Sequence, residues 1–277
     1  MKAKIIVLAG QSNAVGVAHV RYLPKHFSAE RLARFENGYD DILINYYSHD
    51  KKSGGFVKTA YGCTEISKDT VGPEVGIADS LSLRYPDEKL FIVKCAFGGT
   101  DIARDWASPS RTEVYDSLSF GDGDSENEHY RKAGWCYNEL VKLMGESIYI
   151  LKKKGYAPEI RAFCWMQGES DAMDKQKVTT YTERYKMLLS DFESVFGEYM
   201  SGCVFIDAAI SEQWTYYKEL NTQKLEYAAN TPDSFFIDTI AHGLVTTNEP
   251  EGEVDFAHYD SDCIIKLGEL FAEKIQL

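Results

Sequence analysis

Long apolar runs, paired cysteines and clustered histidines are all missing from this 277-residue chain, and each absence removes a class of function. The apolar run near the N-terminus, Ile5 to Gly10, is too short for a signal-peptide core or a membrane span, and no later stretch reaches that length. The six cysteines (63, 95, 136, 164, 203 and 263) stand singly, with no C-x-x-C. Cys95, Cys164 and Cys203 sit inside apolar runs, where a free thiol behaves as a small hydrophobe. That placement predicts buried thiols in a reducing compartment rather than a disulfide framework, so the expected location is the cytoplasm. The six histidines (19, 26, 49, 129, 242 and 258) show no H-x-x-x-H and no His/Cys pair at ligand spacing, so no metal and no cofactor is expected. Positive charge is also short, 30 Lys plus Arg against 43 Asp plus Glu, for a net charge of −13. Nucleic acid and anionic membrane, which need basic patches, are disfavoured as main partners.

What is present suits an enclosed globular core, with 44% hydrophobic residues over a length that permits one large α/β domain. Continuous apolar runs at Lys4–Ala9, Leu90–Ala96, Ile160–Met166 and Val204–Ala209 read as strands buried on both faces. Asp41–Tyr47 and Ser234–Thr239 are further candidates. Between them, Pro73–Leu83, Tyr137–Lys154, Tyr181–Phe196 and Ile264–Ile275 carry apolar residues at helical steps. Alternating strands and helices imply a parallel sheet covered on both sides. There is no Pro/Gly/Ser linker and no repeat, so residues 1–277 are expected to be one domain. Segments 18–72 and 101–135 lack periodicity and are expected to be irregular insertions.

Polar residues punctuate the strands at matching places. The first ends in "AGQSN", the strand at 90–96 runs into "AFGGTD", and the strand at 160–166 into "WMQGESD". In a parallel sheet all three come to the carboxyl rim, where ligands bind. "DFAH", Asp255 to His258, precedes the last helix. Together these provide the parts for acyl transfer by a serine nucleophile. Ser12 would attack, His258 would take its proton, and Asp255 would hold the other imidazole nitrogen. Candidate oxyanion donors are the Ser12 N–H, an N–H from Gly98 or Gly99, and the Gln167 amide; one such donor is worth about 3 kcal/mol in the transition state. Each fragment alone has an ordinary reading: Ser12 as a helix cap, the glycines as a turn, Gln167 and Glu169 as loop braces. Trp106, Tyr115 and Trp135 could stack on sugar rings or simply pack. His242 is the rival imidazole, but no aspartate stands three residues before it.

These blocks, with "GPE" (Gly72–Glu74) opening a helix, resemble the SGNH/GDSL hydrolase superfamily, and within it the sialate O-acetylesterase-like and carbohydrate esterase family six (acetylxylan esterase) branch. The resemblance runs from about residue 4 to 276 and implies a flavodoxin-like α/β/α sandwich with about five parallel strands. It implies Ser12, His258 and Asp255 as the catalytic triad, Gln167 in the oxyanion hole beside Ser12 and the Gly98–Gly99 pair, and Gln11, Asn13, Glu169 and Asp171 as supports of the rim. The implied substrate is a small acetylated carbohydrate, such as an acetylated xylo-oligosaccharide. Alternatives are O-acetylated sialic acid, small non-carbohydrate esters, or a non-catalytic carbohydrate-binding role. The G-x-S-x-G elbow of the α/β-hydrolases is absent around Ser12. Oligomeric state is not readable from the sequence.

Overall fold

The apolar runs become strands of one sheet. A computed structural model describes residues 1–62, 69–111 and 133–277 of the chain; Cys63 and Tyr115 fall outside them. The strands are β1 (Lys2–Gly10), β2 (Ala18–His19), β3 (Tyr39–Ser48), β4 (Lys51–Lys52), β5 (Val57–Thr59), β6 (Thr70–Val71), β7 (Leu90–Ala96), β8 (Ala157–Met166), β9 (Val204–Ala208) and β10 (Ser234–Ile237). Among the described residues, the main sheet has the order β10-β9-β8-β1-β7-β3-β4, with β5 also paired to β3. The strands from β10 across to β3 all run parallel, whereas β4 and β5 are antiparallel to β3. β7-β1-β8-β9-β10 is the expected five-stranded flavodoxin-like order. β3 extends it to a sixth parallel strand beside β7.

The helices are α1 (Ser12–Val15), α2 (Ala29–Asn37), α3 (Pro73–Arg84), α4 (Trp135–Lys153), α5 (Lys175–Thr179), α6 (Tyr181–Phe196), α7 (Tyr217–Asn230) and α8 (Ser261–Lys274). All seven residues of β7 are buried, so helices cover both faces of the sheet centre. Helices α3 and α8 pack together, while α4 lies against β3, β7 and β8. From β1 the chain goes to β7 on one side and later to β8 on the other. The end of β1 is therefore the topological switch point, where open α/β sheets bind ligands.

One expectation needs correction. Segment 18–72 is not an irregular insertion, because it holds a 3-10 turn (Val20–Lys25), α2 and the long strand β3. Helix α2 is capped by Ser28, whose Oγ accepts the Arg31 N–H, but buries only Phe35, so its apolar signal is faint. Helix α7 escaped prediction for the same reason: only Leu220 and Lys224 are buried. Five cysteines, 95, 136, 164, 203 and 263, are buried free thiols, as the apolar runs around Cys95, Cys164 and Cys203 predicted for those three.

The α3–α8 contact is close because glycines face it. A Cβ on Gly76 would stand 2.1 Å from the Ile265 carbonyl oxygen, and one on Gly268 2.0 Å from that of Pro73. Since backbone cannot retreat as a flexible side chain can, Gly268→Ala is expected to lower stability by about 3 kcal/mol in urea denaturation. A change below about 1 kcal/mol would mean that the helices separate freely.

Candidate active site

Register brings the three polar motifs to one level: Gly10 of β1 pairs with Ala96 of β7 on one side and Met166 of β8 on the other. Gly10 has φ +146°, and a Cβ there would fall 1.9 Å from the Met166 carbonyl oxygen, so a side chain has no room. The strand ends are tied by the Gln11 N–H donating to Met166 O (2.9 Å) and the Phe97 N–H donating to Gly10 O (3.0 Å). After Gly10 the chain makes one helical turn, α1, which begins at Ser12. Its end is fixed by Lys94, fully buried on β7, whose Nζ donates to Val15 O (2.7 Å) and pairs with Glu74 (2.6 Å). This ion pair accounts for the "GPE" motif.

The amides around Ser12 act as braces. Gln11 Oε1 accepts from the N–H groups of Gly168 (3.4 Å) and Ser170 (3.2 Å) and from Gln167 Nε2 (3.3 Å), gathering the "QGES" loop against the end of β1. Gln167 departs from the oxyanion expectation. Its side chain is fully buried, and Nε2 donates to Asp171 (2.6 Å), to Thr100 O (3.1 Å) and to Gln11. An amide has two N–H donors, and the interior takes both. Gln167 therefore stitches the loops after β7 and β8 together behind the pocket wall.

Asn13 links the two halves of the site. Its Nδ2 donates to Glu169 Oε1 (2.8 Å) and Ala257 O (3.3 Å), and its Oδ1 accepts the Tyr259 N–H (3.0 Å). One carboxamide thus grips the residues on either side of His258. Burial pushes the Glu169 carboxyl up, with the Asn13 hydrogen bond opposing it. Tyr259 anchors the loop further, its hydroxyl within hydrogen-bond distance of Ala209 O (3.2 Å) beyond β9 and of Thr239 Oγ1 (3.0 Å) beyond β10. His258 Nδ1 lies 2.5 Å from Asp255 Oδ2. Partial burial raises the Asp255 carboxyl, but the bonds from His258 and from the Ala257 N–H outweigh it and leave the carboxyl below its ordinary range.

Ser12, His258, Gly98 and Gly99 line one pocket of about 530 Å³. Gly98 is the nearer glycine: a Cβ on it would touch Ser12 Cβ at 3.8 Å, whereas one on Gly99 would meet nothing. The pocket walls also include Val17, His49, Met173 and Trp214, which the sequence analysis did not single out. Only His49 carried a signal, as a histidine directly after a strand. His242 is exposed and lies outside this pocket. Trp106 is a core residue, fully buried against Trp165 with Nε1 donating to Thr100, and Trp135 packs on Phe97 and Tyr47. Among the described residues no group of three His, Cys, Asp or Glu could hold a metal ion.

Behind this wall Asp101, Asp105 and Asp171 are all buried, with Lys177 paired to Asp101 at 2.5 Å. Burial, reinforced by the Asp101 charge, pushes the Asp105 carboxyl up to about 7 and raises Asp171 as well.

The family model described as carbohydrate esterase, sialic acid-specific acetylesterase, matches residues 2–276. The chain belongs to this family. It is accordingly a carboxylic ester hydrolase of the carbohydrate esterases. The fold is similar to that of NanS (TM-score 0.68, 16% identity, 98% of this chain and 96% of that one). It is also similar to a protein from Arabidopsis thaliana (TM-score 0.63, 19% identity, 98% and 96%). A third similar structure is a carbohydrate acetylesterase from Xanthomonas citri (TM-score 0.60, 14% identity, 99% and 55%). No curated protein matches the chain. Among the described residues no helix is long and apolar enough to cross a membrane.

Two predictions follow the esterase's internal bonding. Asn13→Ala strips Glu169 of its buried donor and frees the His258 loop, so it should cost about 2–3 kcal/mol of stability. Adding Glu169→Gln, which removes the buried charge, should recover part of that loss; strict additivity in the double-mutant cycle would contradict the coupling. A carboxyl raised on folding binds more protons in the native state, so its contribution is lost as pH climbs from the ordinary carboxylate range through about 7. Asp105→Asn should therefore raise Tm at pH 8 and leave it nearly unchanged at pH 4, and equal shifts at both would refute that origin.

Proposed function

We propose that this esterase removes O-acetyl groups from small carbohydrates in the cytoplasm, with Ser12 as nucleophile, His258 as base and Asp255 as its partner. The observation carrying the reading is the imidazole seated on Asp255 at 2.5 Å in the same pocket as the serine. Ser12 Oγ attacks the acetyl carbonyl carbon while His258 Nε2 takes its proton. The C=O electron pair moves onto oxygen, facing the backbone N–H groups of Ser12 and Gly98. Collapse breaks the bond to the sugar oxygen, which receives the proton from His258 and leaves acetyl-Ser12. Water, deprotonated by the same imidazole, then releases acetate. Asp255 fixes the tautomer that bares Nε2.

Two features bear on the substrate. The described lining residues include no lysine or arginine, which favours a neutral acetylated sugar, such as an acetylated xylo-oligosaccharide. The family description favours the second reading, O-acetylated sialic acid. Buried free thiols suit a reducing compartment.

Ser12→Ala should retain the wild-type Tm and release no acetate from p-nitrophenyl acetate; undiminished turnover would end the serine mechanism. Asp255→Asn should lower kcat by about 10² to 10⁴-fold. Among acetyl, butyryl and octanoyl esters the acetyl ester should be fastest, and a long-chain preference would exclude an acetylesterase. Acetate release from acetylated xylo-oligosaccharides, compared with acetylated sialic acid, separates the two sugar readings.

A further inference from the structure

The sixth parallel strand has a consequence at the rim. β3 pairs Ser48 with Ala96, and the next residue, His49, donates its N–H to Ala96 O (2.9 Å). His49 therefore stands beside the end of β7 as Ser12 stands over β1. Its φ is +56°, the left-handed region, which costs a residue with a Cβ of order 1 kcal/mol and clusters at functional sites. The ring lines the pocket, and the point a Cβ on Gly98 would occupy is 3.8 Å from both His49 Cε1 and Ser12 Cβ. Imidazole and serine thus flank Gly98.

The arrangement along the rim says which part of an ester meets this ring. The residues beside His258 are bonded to Asn13, and Tyr259 to Ala209 and Thr239, so the base sits towards β8, β9 and β10. A base that protonates the leaving oxygen must have the sugar oxygen on its own side of Ser12. The carbonyl oxygen then lies on the other side, towards Gly98 and His49. The side-chain amide expected there, Gln167, is spent inside the protein.

The tautomer of His49 points the same way. Nδ1 is enclosed and has no hydrogen-bond partner among the described residues. An orphaned N–H is rarer in protein interiors than an under-satisfied acceptor. The proton accordingly belongs on Nε2, which makes that atom a donor.

We propose, resting on the reading of Ser12 as nucleophile, that His49 Nε2–H is the side-chain donor of the oxyanion hole, completing the backbone N–H groups of Ser12 and Gly98. A group that acts on developing charge changes kcat more than KM. His49→Ala should lower kcat on p-nitrophenyl acetate by about 10²-fold, with KM within about twofold of wild type. Inactivation by paraoxon, which phosphorylates serine through a comparable charged oxygen, should slow in proportion. His49→Gln places an amide N–H near the position of Nε2, so it should recover part of kcat. His49→Gly relieves the backbone, so its Tm should equal or exceed wild type while kcat stays low. Near wild-type kcat in folded His49→Gly or His49→Ala, or a loss confined to KM, would overturn the assignment. In the same assays an inactive Ser12→Ala keeps the parent reading intact, whereas an active one removes the parent reading itself.

Discussion

The buried carboxamide of Asn13 is the contact on which the rest of the site depends. Serine and histidine are 246 residues apart in sequence, with Asn13 beside the first and its Tyr259 partner beside the second. A single side chain, bonded to Ala257 O on one flank and the Tyr259 N–H on the other, sets the His258 backbone relative to the Ser12 turn. Its third bond reaches Glu169, so the loop after β8 is drawn into the same unit. The position of the pocket and the placement of Ser12 relative to His258 follow from how α1 leaves β1.

Buried charge supports that arrangement from below. Lys94 and Lys224 are both sealed from solvent, each paired to one carboxylate, Glu74 and Asp207. Burying an ion pair is a poor way to gain stability, because desolvation offsets most of the attraction. Here the lysines do something an apolar residue could not: they donate to carbonyls at strand and helix ends, Lys94 to Val15 O, and Lys224 to Gln167 O and Ala208 O. The carboxylate partners keep those donors charged and in place. Asp207 registers the cost, pushed up to about 6 by burial against the pull of Lys224. The ends of β1, β8 and β9 are thereby fixed at the face where the pocket lies.

The parts of this design that follow chain order were legible in the sequence. Apolar runs ending in "GQSN", "FGGT" and "WMQGESD" announce strand ends at one rim, since parallel strands leave no other place for them. What depends on side-chain direction was not legible. Gln167 turns inward because Asp171 and Thr100 O compete for its protons behind the wall. Trp106 follows a glycine-rich loop yet packs on Trp165. His49 and Trp214 reach the pocket only through tertiary placement, one at the end of an edge-side strand and one before α7. Helices α2 and α7 were missed because each fully buries only one or two residues, too few to write a clear periodicity.

The role proposed for this network is to make Ser12, alone among the protein's hydroxyls, a nucleophile. Its most direct test is peptide mapping by mass spectrometry after brief treatment of the folded protein with a fluorophosphonate. A single stoichiometric adduct on Ser12 is expected in the wild type, and loss of that adduct in His258→Ala. No adduct, an adduct on another residue, or equal labelling of Ser12 without His258 would contradict it.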